Sequence, residues 1–217
     1  MQVLFFADGE GSMSNSKFVK IAVLVSGGGT NLQALIDASA SGIIRSGKIE
    51  LVVSSNPDAY ALERAARANI KSAVASKKEC GSQEEFEHRI KALLDDNGIE
   101  LIVLAGFMSI LSADFTKDYP ERIINVHPSL IPSFCGKGFY GLRVHEAALE
   151  YGVKVTGATV HFVNEIPDGG KIILQKSVAI RSNDTPSTLQ RRVMEQAEWK
   201  ILPKAVELVS KDILKQK

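Results

Sequence analysis

Cysteine is nearly missing from this chain, with only Cys80 and Cys135 in 217 residues. Two thiols so far apart make no disulfide framework, and a reducing compartment, the cytosol, is the expected setting. They also fall into no zinc-ligand spacing with the four histidines, so no metal is expected. An excess of charge of one sign is missing too: 26 Lys and Arg stand against 25 Asp and Glu, a formal net charge of +1. No broad basic field exists to hold a nucleic acid by its phosphates, and an anionic partner must be captured locally. No apolar run approaches the roughly 20 residues that a membrane-spanning helix needs. The run from Val3 to Ala7 is too short, and lacks the basic flank, to be a secretory signal. Neither a nucleic acid nor a membrane is therefore an expected partner. Gly-Lys-Ser/Thr and Gly-x-Ser-x-Gly are absent as well, which disfavours a P-loop nucleotide triphosphatase and an elbow-type serine hydrolase.

What is present is ordinary globular composition, 45% hydrophobic and 24% charged, in a length that suits one domain. Residues 1–18 are polar and rich in Gly and Ser after Ala7, with Met13 as an alternative start, and read as a flexible leader or cloning remnant ahead of a domain at 19–217. From Lys20 onward, short β-branched runs alternate with helical patterns, the signature of a mostly parallel sheet wrapped by helices. Strands are expected at Lys20–Ser26, Glu50–Ser55, Leu101–Ala105, Ile123–His127, Val155–Val163 and Ile172–Ile180. Helices are expected at Asn31–Ser39, Ala59–Asn69, Gln83–Asp96, Val144–Tyr151 and Pro186–Val209, the last interrupted at Pro203. Thr156–His161 alternates polar and apolar residues, and Pro-Asp-Gly-Gly precedes the next run, which suggests an antiparallel hairpin. The expected fold is a single α/β domain: a mostly parallel twisted sheet with helices on both faces, then a mixed half with that hairpin and a long C-terminal helix.

Three motifs can carry chemistry. Ser26-Gly27-Gly28-Gly29-Thr30-Asn31 lies between an apolar strand and a helix start, where close backbone approach and unpaired N–H groups make a phosphate cradle. A plain turn capped by Thr30 or Asn31 is an equal reading of the loop alone. Leu32 in place of a third Gly, and Asn56 rather than an acid after the second strand, speak against dinucleotide binding. Asn125-Val126-His127-Pro128-Ser129 closes a strand, and alternation puts Asn125 and His127 on one face at the sheet's carboxyl edge. Asp168-Gly169-Gly170 is first of all a turn, and its carboxylate matters only if the fold brings it to the histidine. Single histidines His145 and His161 read as structural or supporting groups, His88 as solvated. Gly136 to Gly141 reads as a mobile loop over the same edge.

Together the motifs V-S-G-G-G-T-N-L-Q, L-A-G-F-M-S-I-L, I-N-V-H-P-S-L-I-P and H-F-V-N-E-I-P-D-G-G, in that order between Ile21 and about Pro203, resemble the phosphoribosylglycinamide formyltransferase family. The resemblance implies formyl transfer from 10-formyltetrahydrofolate to the amine of glycinamide ribonucleotide in de novo purine synthesis, with no metal. It assigns Asn125, His127 and Asp168 as the catalytic trio. Gly29, Thr30 and Asn31 would hold the substrate phosphate, and Glu195, Gln196, Ala197 and Glu198 would meet the substrate from the C-terminal helix. Met108, Ser109, Ile110 and Leu111, with Asn125 and with Asn164, Glu165, Ile166, Pro167 and Asp168, would surround the folate. Gln83 and Ser109 stand where family members often carry Arg for the folate tail, and the loop Phe134–Gly141 is longer than in the commonest form. Small-molecule substrates and a monomer or homodimer are implied.

The chemistry asks for an oxygen-stabilising donor and a proton route, because amine attack on a formyl carbon builds a negative oxygen and a positive nitrogen. Asn125 and protonated His127 would serve the oxygen, while Asp168 would hold the histidine above its ordinary pKa of about 6.5. A folate-dependent formyl hydrolase or a methionyl-tRNA formyltransferase shares the Asn-x-His-Pro-Ser motif. The first is expected to add a regulatory domain and the second an RNA-binding domain, for which this length leaves no room. A silent phosphate- or folate-binding module is the non-enzyme alternative.

Overall fold

The computed structural model describes residues 17–217, so the expectation of a leader at 1–18 lies almost wholly outside the described residues. One seven-stranded sheet runs in the order β3-β2-β1-β4-β5-β6-β7. Its strands are β1 Val19–Val25, β2 Gly47–Ser54, β3 Lys71–Val74, β4 Leu101–Leu104, β5 Ile123–His127, β6 Val155–Phe162 and β7 Ile172–Ala179. The pairs among β1 to β5 are parallel, and β5–β6 and β6–β7 are antiparallel. Helices α1 Thr30–Ala40, α2 Tyr60–Arg67, α3 Lys77–Cys80, α4 Gln83–Asp96, α5 Ala113–Lys117, α6 Leu142–Tyr151, α7 Pro186–Val193 and α8 Trp199–Lys215 surround it, with a π turn at Met194–Glu198 between the last two.

The strand period of two explains why the sheet is covered twice. From β1, Ile21, Val23 and Val25 enter a core shared with Leu32 and Leu35 of α1 and Leu202, Ala205 and Val206 of α8. Their neighbours Ala22 and Leu24 enter a second core with Phe86, Ile90 and Leu94 of α4. Each buried Val, Leu or Ile among them contributes about 1.5–3 kcal/mol. Phe86 is completely buried, so Phe86→Ala removes about 3–5 kcal/mol. Ser82 caps α4, accepting from the Glu85 N–H.

Four features differ from the sequence expectations. Strand β3 is a four-residue edge, half-exposed and without alternation, and helices α3 and α5 are only four and five residues long. None carries a period long enough to read. Helix α1 begins on Gly29 in left-handed conformation with no side-chain cap, rather than on Thr30 or Asn31 as caps. The C-terminal helix is broken at Met194–Glu198 and not at Pro203, which lies buried inside α8. A π turn widens the backbone ladder by one residue, so the change of helix phase falls nine residues before the proline, and α8 continues to Lys215.

Candidate functional site

Strand β1 is flanked by β2 on one side and β4 on the other, so the connections after β1 and β4 leave the sheet in opposite directions and open a crevice at its carboxyl edge. The two loops are tied there: the Met108 N–H donates to Ser26 Oγ at 2.8 Å, and Ser26 and Ser55 share a hydroxyl bond of 2.6 Å. In the glycine-rich loop, Gly29 has φ 69° and an added Cβ would lie 2.7 Å from that of Ala61 on α2. Its glycine is required by the chain itself. Gly27 and Gly28 meet nothing within 4 Å, so their bareness leaves open backbone beside the uncapped start of α1.

The antiparallel register of β5 and β6 sets Asn125 opposite His161 and His127 opposite Thr159. A register shift between Val160 and His161 re-aims the latter, as irregularities beside functional sites do. His161 Nδ1 lies 2.7 Å from the Phe162 carbonyl, which can only accept, so Nδ1 carries the hydrogen. Its Nε2 therefore accepts from the Asn125 amide at 3.2 Å, which orients the NH2 group of Asn125 and leaves its second N–H for another oxygen. His127 shows the same logic at its other end. Nε2 donates to the Phe134 carbonyl at 2.9 Å, and Nδ1 faces Asp168 Oδ2 at 3.5 Å.

Asp168 occupies the left-handed region, φ 57°, in the β6–β7 connection, a conformation that Asp tolerates better than most residues. Its Oδ2 accepts from the Gly136 N–H at 2.8 Å, and its Oδ1 lies 3.5 Å from His161 Nε2. Burial pushes this carboxyl upward, but His161, His127 and the Gly136 amide together hold it below the usual range. A protonated imidazole at either position would attract this carboxylate. For His127 the balance is opposite to the expectation. Burial lowers its pKa, the Asp168 charge and the Phe134 carbonyl raise it, His161 lowers it, and the net direction is down. With its side chain 6% exposed, desolvation outweighs the carboxylate, and the neutral imidazole is favoured.

Two cavities meet at Asn125 and Asp168. The larger, about 620 Å³, is lined by Asn125, His127 and Asp168 together with Asn31, Glu198, Met194, Gln190 and the loop Gly136–Gly141. The narrower is lined by Ser109, Ile110, Leu111, Asn125, His161, Asn164, Glu165, Pro167 and Asp168. Glu198 Oε2 accepts from Asn31 at 2.7 Å, and full burial pushes its carboxyl up to about 7 against the pull of that bond. The π turn separates the residues expected with it: Ala197 is core, while Glu195 and Gln196 are exposed and line a different surface hollow with Arg181 and Arg191. Thr30 is exposed at the start of α1. Gln83 Nε2 donates to the Ile110 carbonyl and to Glu87 Oε1. Buried Glu87, unremarked in the sequence, also takes the Ser112 N–H and hydroxyl at 2.6 Å each and pins the Met108–Leu111 segment to α4. Met108, Ile110 and Ile166 are exposed at the rim.

His161 and His145 are the polar residues that sequence reasoning left as supporting groups. Pairing of His161 with Asn125 depends on strand register, which local pattern does not carry. His145 is completely buried beside the larger cavity, and burial takes its pKa down to about 4. Ser129 is committed to the Ser133 carbonyl, away from any nucleophile role. Among the described residues no group of three or more His, Cys, Asp and Glu could hold a metal ion, and no helix is long and apolar enough to cross a membrane.

Residues 19–206 match the formyl transferase family. The phosphoribosylglycinamide formyltransferase of Haemophilus influenzae is 42% identical over 198 residues, covering 91% of this chain and 90% of its own length. The trifunctional purine biosynthetic protein adenosine-3 of Gallus gallus is 44% identical over 201 residues, 93% of this chain, but this chain spans only 19% of that longer protein. The crystal structure of glycinamide ribonucleotide transformylase 1 from Symbiobacterium toebii superimposes with a TM-score of 0.84 at 38% identity, covering 95% of this chain and 94% of that one.

Proposed function

The chain belongs to the formyl transferase family, and from that premise we propose that it moves the formyl group of 10-formyltetrahydrofolate to the amine of glycinamide ribonucleotide. The observation that carries this reading is the meeting of two cavities at shared residues: Asn125 and Asp168 line both. A direct transfer needs two ligands to enter from different sides and touch at one point. In this reading the narrower cleft, walled by Ile110, Leu111 and the Asn164–Asp168 connection, takes the flat head of the folate. The larger cavity takes the ribonucleotide, with its phosphate at Gly28, Gly29, Thr30 and the start of α1 and its sugar toward Asn31 and Glu198.

Attack of the neutral amine on the formyl carbon forms a C–N bond and moves the carbonyl electron pair onto oxygen. The free N–H of Asn125 donates to that oxygen; loss of such a donor costs about 100- to 1000-fold in rate. The attacking nitrogen becomes cationic and must lose a proton. Neutral His127 presents its Nδ1 lone pair on the Asp168 side, where it accepts that proton. The resulting imidazolium donates at Nε2 to the Phe134 carbonyl and is attracted at Nδ1 by the carboxylate, so both its neighbours stabilise the charged form as the reaction proceeds. The proton then passes to the departing folate nitrogen as the original C–N bond breaks. The proposal differs from the sequence expectation in two respects: His127 begins as a base that takes the proton, not as a cation on the oxygen, and Asn31 faces the sugar rather than the phosphate.

The test is product identity. Purified protein incubated with both compounds should yield ribonucleotide heavier by one formyl group and an equal amount of tetrahydrofolate. Formate in place of the formylated ribonucleotide would identify a hydrolase instead.

A further inference from the structure

Phe134 stands in the left-handed region at φ 50° without being glycine, a conformation that costs a bulky residue energy and persists only when its surroundings impose it. Two rings impose it here. The Phe134 ring meets Phe139 at 6.4 Å and Tyr151, the last residue of α6, at 6.0 Å, both edge to face, a favoured geometry for aromatic pairs. From this backbone the Phe134 carbonyl reaches His127 Nε2 at 2.9 Å, and two residues on, the Gly136 N–H reaches Asp168 Oδ2 at 2.8 Å. One strained segment thus holds both members of the histidine–carboxylate pair, each by a backbone group that substitution of a side chain does not delete.

A neutral imidazole has one N–H, and its place decides which nitrogen can accept a proton. If Nδ1 carried it, that hydrogen would bond Asp168, and the only lone pair would be aimed at the Phe134 carbonyl, useless to substrate. We propose that Phe134 is a positioning residue: its ring, held by Phe139 and Tyr151, fixes the backbone turn whose carbonyl selects the Nε2–H tautomer of His127 and keeps Nδ1 as the proton acceptor. The inference rests on the transferase reading for its kinetic consequence, but the tautomer is a property of the free protein. The titratable groups around His127 are Asp168 from the β6–β7 connection, His161 on β6 and His145 on α6, and none of them bonds Nε2.

The experiment is nitrogen-15 NMR of the histidine rings above their pKa, alongside steady-state kinetics. The wild type should show His127 as the Nε2–H tautomer. Phe134→Ala should show a mixture, with kcat lower by about tenfold or more and KM for both compounds changed by no more than about twofold. Tyr151 is 81% exposed, so Tyr151→Ala removes one support without emptying the core; it should move tautomer and kcat in the same direction, and Tyr151→Phe should restore both. If Phe134→Ala does not fold, Tyr151→Ala decides alone. A wild-type Nδ1–H tautomer, a tautomer that neither alanine variant moves, or a change confined to KM would overturn the proposal. Absence of transfer in a wild type that shows the Nε2–H tautomer would instead remove the transferase reading.

Discussion

Asp168 is the residue on which the proton route turns. Replacing it with Asn keeps a side chain that tolerates the left-handed turn, φ 57°, but removes the charge. Turnover should fall by about 100-fold or more, with binding of both compounds little changed, because the lost attraction grows only as the imidazolium forms. The His127 titration should also move further down, since the carboxylate is the main influence raising it. The sign for stability follows from the lowered folded pKa of a base. The contribution is full above the unfolded value of about 6.5 and is lost as pH falls toward the folded one, and Asp168→Asn should steepen that loss. Unchanged turnover with an unmoved His127 resonance would reduce Asp168 to a turn residue. Glu198 works in the opposite sense. Its buried carboxyl is raised to about 7, so its contribution to folding is full below the unfolded value near 4.5 and is lost as pH rises through about 7. Only the ionised form is a pure acceptor for sugar hydroxyls, so KM for the ribonucleotide should fall between pH 6 and 8. Glu198→Gln should flatten both dependences; a KM profile that survives the substitution would contradict the assignment.

At the scale of elements, the glycine-rich loop separates two kinds of glycine that look alike in sequence. Gly29→Ala meets both a left-handed backbone and Ala61 of α2, so it should destabilise the α1–α2 contact by about 1 kcal/mol or more. Gly28→Ala meets nothing and should leave the melting temperature unchanged while raising KM for the ribonucleotide several-fold. Equal stability loss in the two variants would show that the loop is only a turn. The long elements were legible because their patterns were: β1 and β4 as near-continuous apolar runs, α4 from its Ser82 cap to Asp96. The Asn125–His127 pair was legible because strand alternation puts both side chains on one face. Edge strand β3 and the short helices α3 and α5 offered no period to read. The π turn was hidden because it adds one residue to a helix without a breaker, whereas Pro203 looked like one and sits inside α8. That single inserted residue is why Glu198 faces the cavity while Glu195 and Gln196 do not. The fall in His127 pKa was not legible either, since burial is a property of the assembled molecule.

At the scale of the whole molecule, the sheet order brings together residues from the β1, β4, β5 and β6 ends of the chain, from Asn31 to Glu198. We propose residues 19–217 as the catalytic unit, in line with a first strand at Val19 and a family match that begins at residue 19. A chain starting at Ser16 should fold and turn over as the full one does, and failure to do so would assign the preceding residues a part in the fold. The central claim is that two small molecules exchange a formyl group at the meeting point of two cavities. It is tested most directly by following the absorbance of 10-formyltetrahydrofolate with and without glycinamide ribonucleotide. Deformylation should require the ribonucleotide, with one formyl group moved per folate consumed. Deformylation at the same rate without the ribonucleotide, or none with it, would contradict it.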